Sequence, residues 1–246
     1  MSAAERAPTP RPRRRWAAIA IVAVAPLLLV GLFVGATYTP LFRVRTVRIE
    51  GAGVVGRQEI IRLAGLDSAT NVFHLDTVRA ADAIAADPWV ATAIVARDLP
   101  STVVVTITER APIARMLQGQ TDEAVAGDGV LLPGAPTAGL PEIRGALGDL
   151  SDADRVAAAQ ALAALGPSIR HQVSAAVMEV GDDLRLQFVD GTSVEFGQGG
   201  DAVAKAGALR SVLRWASEQG VAVRSVDVSV PGAPAATLAN GSAFPG

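Results

Sequence analysis

The residues whose spacing points most directly at chemistry are Gly51, Gly53 and Gly56, in the stretch GAGVVG. A G-x-G-x-x-G loop between a strand and a helix lets backbone N–H groups approach a dinucleotide pyrophosphate. Here the loop follows the strand-like VRTVRIE and precedes the helix-like RQEIIRLAG. Asp76 lies 20 residues beyond Gly56, near where such a fold puts its ribose-binding acid. Taken alone, these residues describe a dinucleotide-dependent enzyme. No other stretch offers catalytic spacing: there is no H-E-x-x-H, no G-x-S-x-G and no Walker loop. With no cysteine, and with His74 and His171 far apart, no metal site is expected. Asp152 and Asp154 open a helix and Asp182 and Asp183 open a strand, which capping and solvation explain.

The elements around the loop argue against that enzyme. A fingerprint strand is buried on both faces and reads as a continuous apolar run. In this chain Val47 and Ile49 instead alternate with Thr46, Arg48 and Glu50, the pattern of a strand with one wet face. Asp76 is explained as the cap of a helix carrying Val78, Ala81, Ile84 and Ala85 on its inner side and stopped by Pro88. On this reading the glycines serve the turn, and no cofactor is expected.

Of the 246 residues, 50% are hydrophobic and the formal net charge is -2. Residues 1–15 hold five arginines against one glutamate, which leaves a weakly acidic body. Such a body lacks the basic face a nucleic acid requires. No charged residue occurs from Trp16 to Phe42. The 23 residues from Trp16 to Tyr38 suffice for a hydrocarbon layer of roughly 30 Å at ~1.5 Å per residue. Trp16 and Tyr38 bracket this span as interfacial aromatics do, and RPRRRW before it favours a cytoplasmic N-terminus. The competing reading is a cleavable signal peptide with Val34–Ala36 at its cleavage site. Either way the bulk of the chain works outside the cytoplasm.

Beyond the span, strand and helix patterns give the order β-α-α-β-β up to Arg110. In the last of these strands Val103, Val105 and Ile107 face inward. A second, β-rich unit follows, with a hairpin at Gly127–Gly129, a helix capped by Ser151 and ending at Gly166, and a longer helix ending at Gly220. In DDLRLQFVDGTSVEFG a two-residue loop would put Val194 and Phe196 on the wrong face. A three-residue loop, Val189–Gly191, pairs Leu186 with Val194 and requires a left-handed Gly191. The last clear strand is VRSVDVSV, with Val226, Val228 and Val230 inward and Ser225, Asp227 and Ser229 outward.

The segments LFRVRTVRIEG, NVFHLD, DPWVATAIVARDLPSTVVVTITERAPIA and DGVLLP, in this order behind one apolar span, resemble the FtsQ/DivIB family of bacterial cell-division proteins. The resemblance implies an α+β chain with a basic tail (1–15), a transmembrane helix (16–39), a POTRA domain (40–112), a β domain with two helices (113–231) and a loose tail (232–246). It implies a non-enzymatic divisome scaffold that helps control septal peptidoglycan synthesis and binds FtsB/DivIC-type and FtsL-type coiled-coil proteins. The partner site it implies is the last strand, Ser225, Val226, Asp227, Val228, Ser229 and Val230, pairing main chain to main chain near a sheet edge. An interior strand with both edges taken is the alternative, and Val90–Arg97 is a second candidate edge. Lys205, the only lysine, matches a position where the family often carries lysine, although a solvated charge explains it equally. A POTRA-containing secretion or chaperone-like adaptor is the rival function.

Overall fold

The computed structural model describes residues 13–67, 70–148 and 150–243. Helix α1 runs Arg13–Thr37 and contains Pro26. Over its C-terminal half Leu27, Leu28, Leu29, Leu32 and Phe33 are all exposed. Among the described residues no helix is long and apolar enough to cross a membrane. The expected span includes side chains 16–23 and 25, Trp16 among them, which lie outside those described, as do residues 1–12 of the basic tail. At the C-terminal end of α1, Asn71 Nδ2 donates to the Thr37 carbonyl at 2.7 Å, and Tyr38 stacks on His74 with ring centroids 4.2 Å apart. His74 is therefore a packing residue in a turn.

The chain divides into two compact units, the first made of residues up to Ala52, Gly56–Ile84 and Ala93–Ile107. The elements here are β1 (Thr46–Glu50), α2 (Arg57–Leu63), α3 (Thr77–Ala85), β2 (Val90–Asp98) and β3 (Thr102–Glu109). They give the expected β-α-α-β-β order, with the strands arranged β1-β3-β2. Strands β1 and β3 run parallel, pairing Val47 with Val103 and Ile49 with Val105. Val103, Val105 and Ile107 are buried, together with Ile60 from α2 and Ile84 from α3. The apolar stripe of α3 differs from expectation: Ala80 and Ile84 are buried, while Val78 is 69% exposed and Ala85 is exposed. Asp76 caps this helix by accepting from the Arg79 N–H at 3.0 Å.

The second unit comprises Gly53–Val55, Ala85–Thr92 and Thr108 onward. It carries β4 (Pro112–Gln118), β5 (Thr121–Ala126), β6 (Leu131–Leu132), β7 (Glu142–Gly145), α4 (Asp152–Leu165), the short α5 (Pro167–Arg170) and β8 (Val173–Met178). There follow β9 (Leu184–Phe188), β10 (Ser193–Gly197), α6 (Ala202–Gln219), β11 (Val223–Asp227) and β12 (Ala235–Leu238). Nine strands form one sheet in the order β12-β11-β10-β9-β8-β7-β4-β5-β6. Helices α4 and α6 join the inward residues Ile143, Leu186, Phe188, Val194 and Val226 in one core. Ser151 and Asp154 form a reciprocal capping box at the start of α4.

Two turns settle the strand parity. Leu186 pairs with Val194, and Gly191 has φ +90°, as the three-residue loop requires. Gly51 also stands in the left-handed region, at φ +83°, and a Cβ there would lie 2.0 Å from the Ile107 carbonyl oxygen. The backbone approach itself thus demands glycine. Gly51→Ala should therefore lower the unfolding free energy by about 2–4 kcal/mol. Gly65→Ala, at φ +64° with open space around it, should cost only about 1 kcal/mol. Urea midpoints of the two variants would separate the steric from the purely conformational effect.

Candidate partner-binding edge

The GAGVVG loop is an anion receptor, and its anion is a side chain of this chain. One Glu109 oxygen accepts from the N–H groups of Gly53 (2.9 Å), Val54 (2.9 Å) and Val55 (2.8 Å), and the other accepts from Val54 at 3.0 Å. Successive N–H groups facing one concavity form the kind of nest that holds phosphates elsewhere. At this site Glu109, from the end of β3, fills it, and a Cβ on Gly53 would come within 3.2 Å of the carboxylate. Partial desolvation pushes the Glu109 carboxyl up, but the amide hydrogen bonds from Gly53, Val55 and Val54 outweigh it and hold the group below its ordinary range.

The expected partner site falls on β11 and the turn after it. Ser225, Val226 and Asp227 are in the strand. β11 pairs in parallel with β10, matching Val226 to Val194, and antiparallel with β12, matching Val226 to Ala236. Both of its sides are taken, so the interior alternative describes β11. Asp227 ends the strand by accepting from the Ser229 N–H at 2.9 Å and the Ser229 hydroxyl at 2.6 Å. Val228 is buried and its N–H donates to the Glu195 carbonyl at 2.9 Å, whereas Val230 is 61% exposed and not inward.

β12, in the tail expected to be loose, stands at one edge of the sheet, and β6 stands at the other. Ala236 and Leu238 are buried, and Ala235 and Thr237 are exposed. The Leu238 N–H does not face β11: it donates to the Ser242 carbonyl at 2.9 Å, and Thr237 bridges to Ala243. Residues 239–241 therefore turn the chain back along the outer side of β12. The turn repeats the Phe188–Thr192 loop bond for bond. Gly191 N–H donates to Phe188 O and Gly241 N–H to Leu238 O. Asp190 and Asn240 each accept from the N–H two residues on. The sequence carried this signal, since NGS after Ala239 repeats the chemistry of DGT after Val189. In the first unit β2 stands at a sheet edge, as expected for the second candidate.

Lys205 is not a solvated charge. It is 6% exposed, and its Nζ donates to the Gln198 carbonyl at 2.6 Å and lies 5.7 Å from the centre of the Phe196 ring. Among the described residues no three His, Asp or Glu side chains are grouped to hold a metal ion.

Comparison with known proteins matches two family descriptions: "POTRA domain, FtsQ-type" over residues 42–110, and "Cell division protein FtsQ/DivIB, C-terminal" over residues 114–229. The cell division protein FtsQ of Mycobacterium tuberculosis is 31% identical over 218 residues, covering 87% of this chain and 68% of that protein. The chain belongs to the FtsQ/DivIB family. The FtsQ of Mycobacteroides abscessus is 30% identical over 87% of this chain and 67% of its own length. The FtsQ of Corynebacterium glutamicum is 28% identical over 79% and 89% respectively. The solved extracytoplasmic domain of Geobacillus stearothermophilus DivIB aligns with 45% of this chain and 93% of its own at 18% identity and a TM-score of 0.34, too low to build on. The β-α-α-β-β unit of this FtsQ-family chain coincides with the POTRA match. The glycine loop thus sits inside a POTRA domain, between its first strand and first helix.

Because the folded-state pKa of Glu109 is depressed, its contribution is present above the unfolded pKa of about 4.3 and is lost as pH falls through the lower folded value. Glu109→Gln should destabilise the chain by about 1 kcal/mol at pH 7, given partial exposure. The difference from the unsubstituted chain should disappear toward pH 3, as urea unfolding across pH would read directly.

Proposed function

We propose that this chain is a non-enzymatic scaffold of the division machinery, held in the cytoplasmic membrane by its N-terminal helix with the bulk outside. The uncharged run from Trp16 to Phe42 and the arginines before it support that topology. At the septum it binds FtsB/DivIC-type and FtsL-type proteins and helps control septal peptidoglycan synthesis. The observation that carries the binding reading is the outer side of β12, where the Leu238 N–H points away from the sheet and, among the described residues, meets the chain returning at Ser242. An extended partner segment fits this side by extending the same main-chain ladder. It would take over the bonds now made by Ser242 and Ala243.

The partner strand is proposed for β12 rather than for Ser225–Val230, whose two sides are engaged. Ser225 and Asp227 then lie one strand in from the interface. The choice of test follows from the hydrogen bonds. Proline at Val228 would remove an N–H used in the contact with Glu195 and would damage the fold. In a strand the N–H groups alternate in direction, so Ala236 points its N–H to the same outer side as Leu238.

Ala236→Pro should weaken binding of the extracytoplasmic segment of the organism's FtsB-type protein by at least about tenfold, the equivalent of one to two lost hydrogen bonds. Circular dichroism should be unchanged. Titration of the full chain in detergent micelles measures this. Full binding by a folded Ala236→Pro variant would move the interface off β12, and no binding by the unsubstituted chain would return it to an adaptor of another partner.

A further inference from the structure

The end of the first unit from which α1 leaves carries two arginines that the function proposed above does not use. Basic residues just beyond a span are disfavoured on its non-cytoplasmic side. Yet Arg43 and Arg45 follow closely on Thr37, the last residue of α1. Both are exposed and Val44 between them is buried, so in extended chain the two side chains leave by one face. Among the described residues neither guanidinium forms an ion pair. Of the carboxylates on adjoining turns, Asp67 accepts from the Thr70 hydroxyl at 2.9 Å and Asp76 caps α3. Asp98 is exposed and opposes an anion there.

Hydrogen bonds hold this segment to its neighbours. The Val72 N–H donates to the Phe42 carbonyl at 2.8 Å, and the Val44 N–H to the Thr70 carbonyl at 2.9 Å. The Arg45 N–H donates to the Ser101 carbonyl at 2.9 Å, which brings the turn from Asp98 to Ser101 alongside. Asn71 ties the same loop to the end of α1 through the Thr37 carbonyl. β1 and β3 begin at this end of their sheet. Tyr38, Leu41 and Leu99, all exposed, therefore stand with the two arginines. From α1 to Arg43 the one-turn helix Pro40–Phe42 advances the chain by about 6 Å, at ~2 Å per residue. A headgroup layer is roughly 5–8 Å deep. With α1 in the bilayer, both guanidiniums lie at the level of lipid phosphates, which their planar forks match.

We propose that this end of the first unit docks on the membrane surface where α1 emerges, Arg43 and Arg45 binding phosphates of anionic phospholipids while Leu41 and Leu99 enter the headgroup layer. The inference rests on the reading of α1 as a membrane span. Leu41 follows α1 and lies at the interface whatever the domain does. Leu99, far along the chain, reaches it only when the domain end lies against lipid.

The chain has no cysteine, so one nitroxide can be placed at Leu99→Cys or, as a reference on α1, at Val30→Cys. The full chain is reconstituted in bilayers of phosphatidylcholine, alone or mixed with phosphatidylglycerol. Relaxation by oxygen and by a water-soluble nickel complex reads the depth of each label. The Val30 label should lie in the hydrocarbon in both lipids; one that does not would remove the span itself. With that label in place, the Leu99 label should sit among headgroups in the anionic bilayer and move toward water in phosphatidylcholine. Arg43→Gln and Arg45→Gln should each lower the ratio of docked to free label about fivefold. Arg48→Gln, three residues farther along the chain, should lower it less than about twofold. A Leu99 label in water in the anionic bilayer, or one indifferent to loss of both arginines, would overturn the proposal. An equal loss from Arg48→Gln would reduce the effect to net charge and overturn it as well. Shielding from both relaxants in either lipid would mean that protein, such as a second copy of the chain, covers the patch instead.

Discussion

The second unit depends on one constraint: a nine-stranded sheet has two faces and only two substantial helices to cover them. α4 and α6 lie on one face and meet it through small side chains, Ala158, Ala159, Ala161 and Ala206 being almost fully buried. Alanine lets helix and sheet approach closely, and Leu162, Leu209 and Val212 fill the space between. Every strand must then keep its apolar parity toward that layer, since a slip of one residue would turn the set outward. The other face carries a small buried cluster of Ala124, Ala126 and Leu132 and balances charge across strands: Arg115 pairs with Asp122 and Glu142, and Arg185 with Glu179 and Glu195. Such exposed pairs add little stability.

Elements fixed by parity or by a cap were legible in the residues. The loop at Val189–Gly191 follows from requiring Leu186 and Val194 on one face, and the ends of α4 follow from Ser151 and Gly166. The inner face of α3 was misjudged because Val78 is the larger apolar residue, whereas Ala80 and Ile84 are the ones packed inward and Val78 is exposed. β12 was missed for a different reason. Ala-Ala-Thr-Leu between Pro234 and Asn240 has little alternation and little strand propensity, and its place is held by pairing with β11. Burial of Lys205 had no local signal at all, since it depends on Phe196 and Gln198 arriving from another element.

The glycine loop shows why a motif can be right in shape and wrong in use. Its N–H groups converge as they would on a phosphate, and the geometry is that of an anion site. What distinguishes it from a cofactor loop is Glu109, whose sequence position, 56 residues from Gly53, gives no hint of the meeting. The carboxylate occupies the space a pyrophosphate would need.

The return of the chain at Ser242 also bears on self-association. A sheet edge kept ready for another protein is equally ready for a second copy of itself, and crowding such proteins at one site in a cell raises that hazard. β12 limits it by brevity: four residues, with Pro231 and Pro234 before it and a glycine turn after it, offer a twin too short a run to stack against. The return at Ser242 and Ala243 lowers the reward further. Such a short edge leaves a second copy of this chain little to pair with.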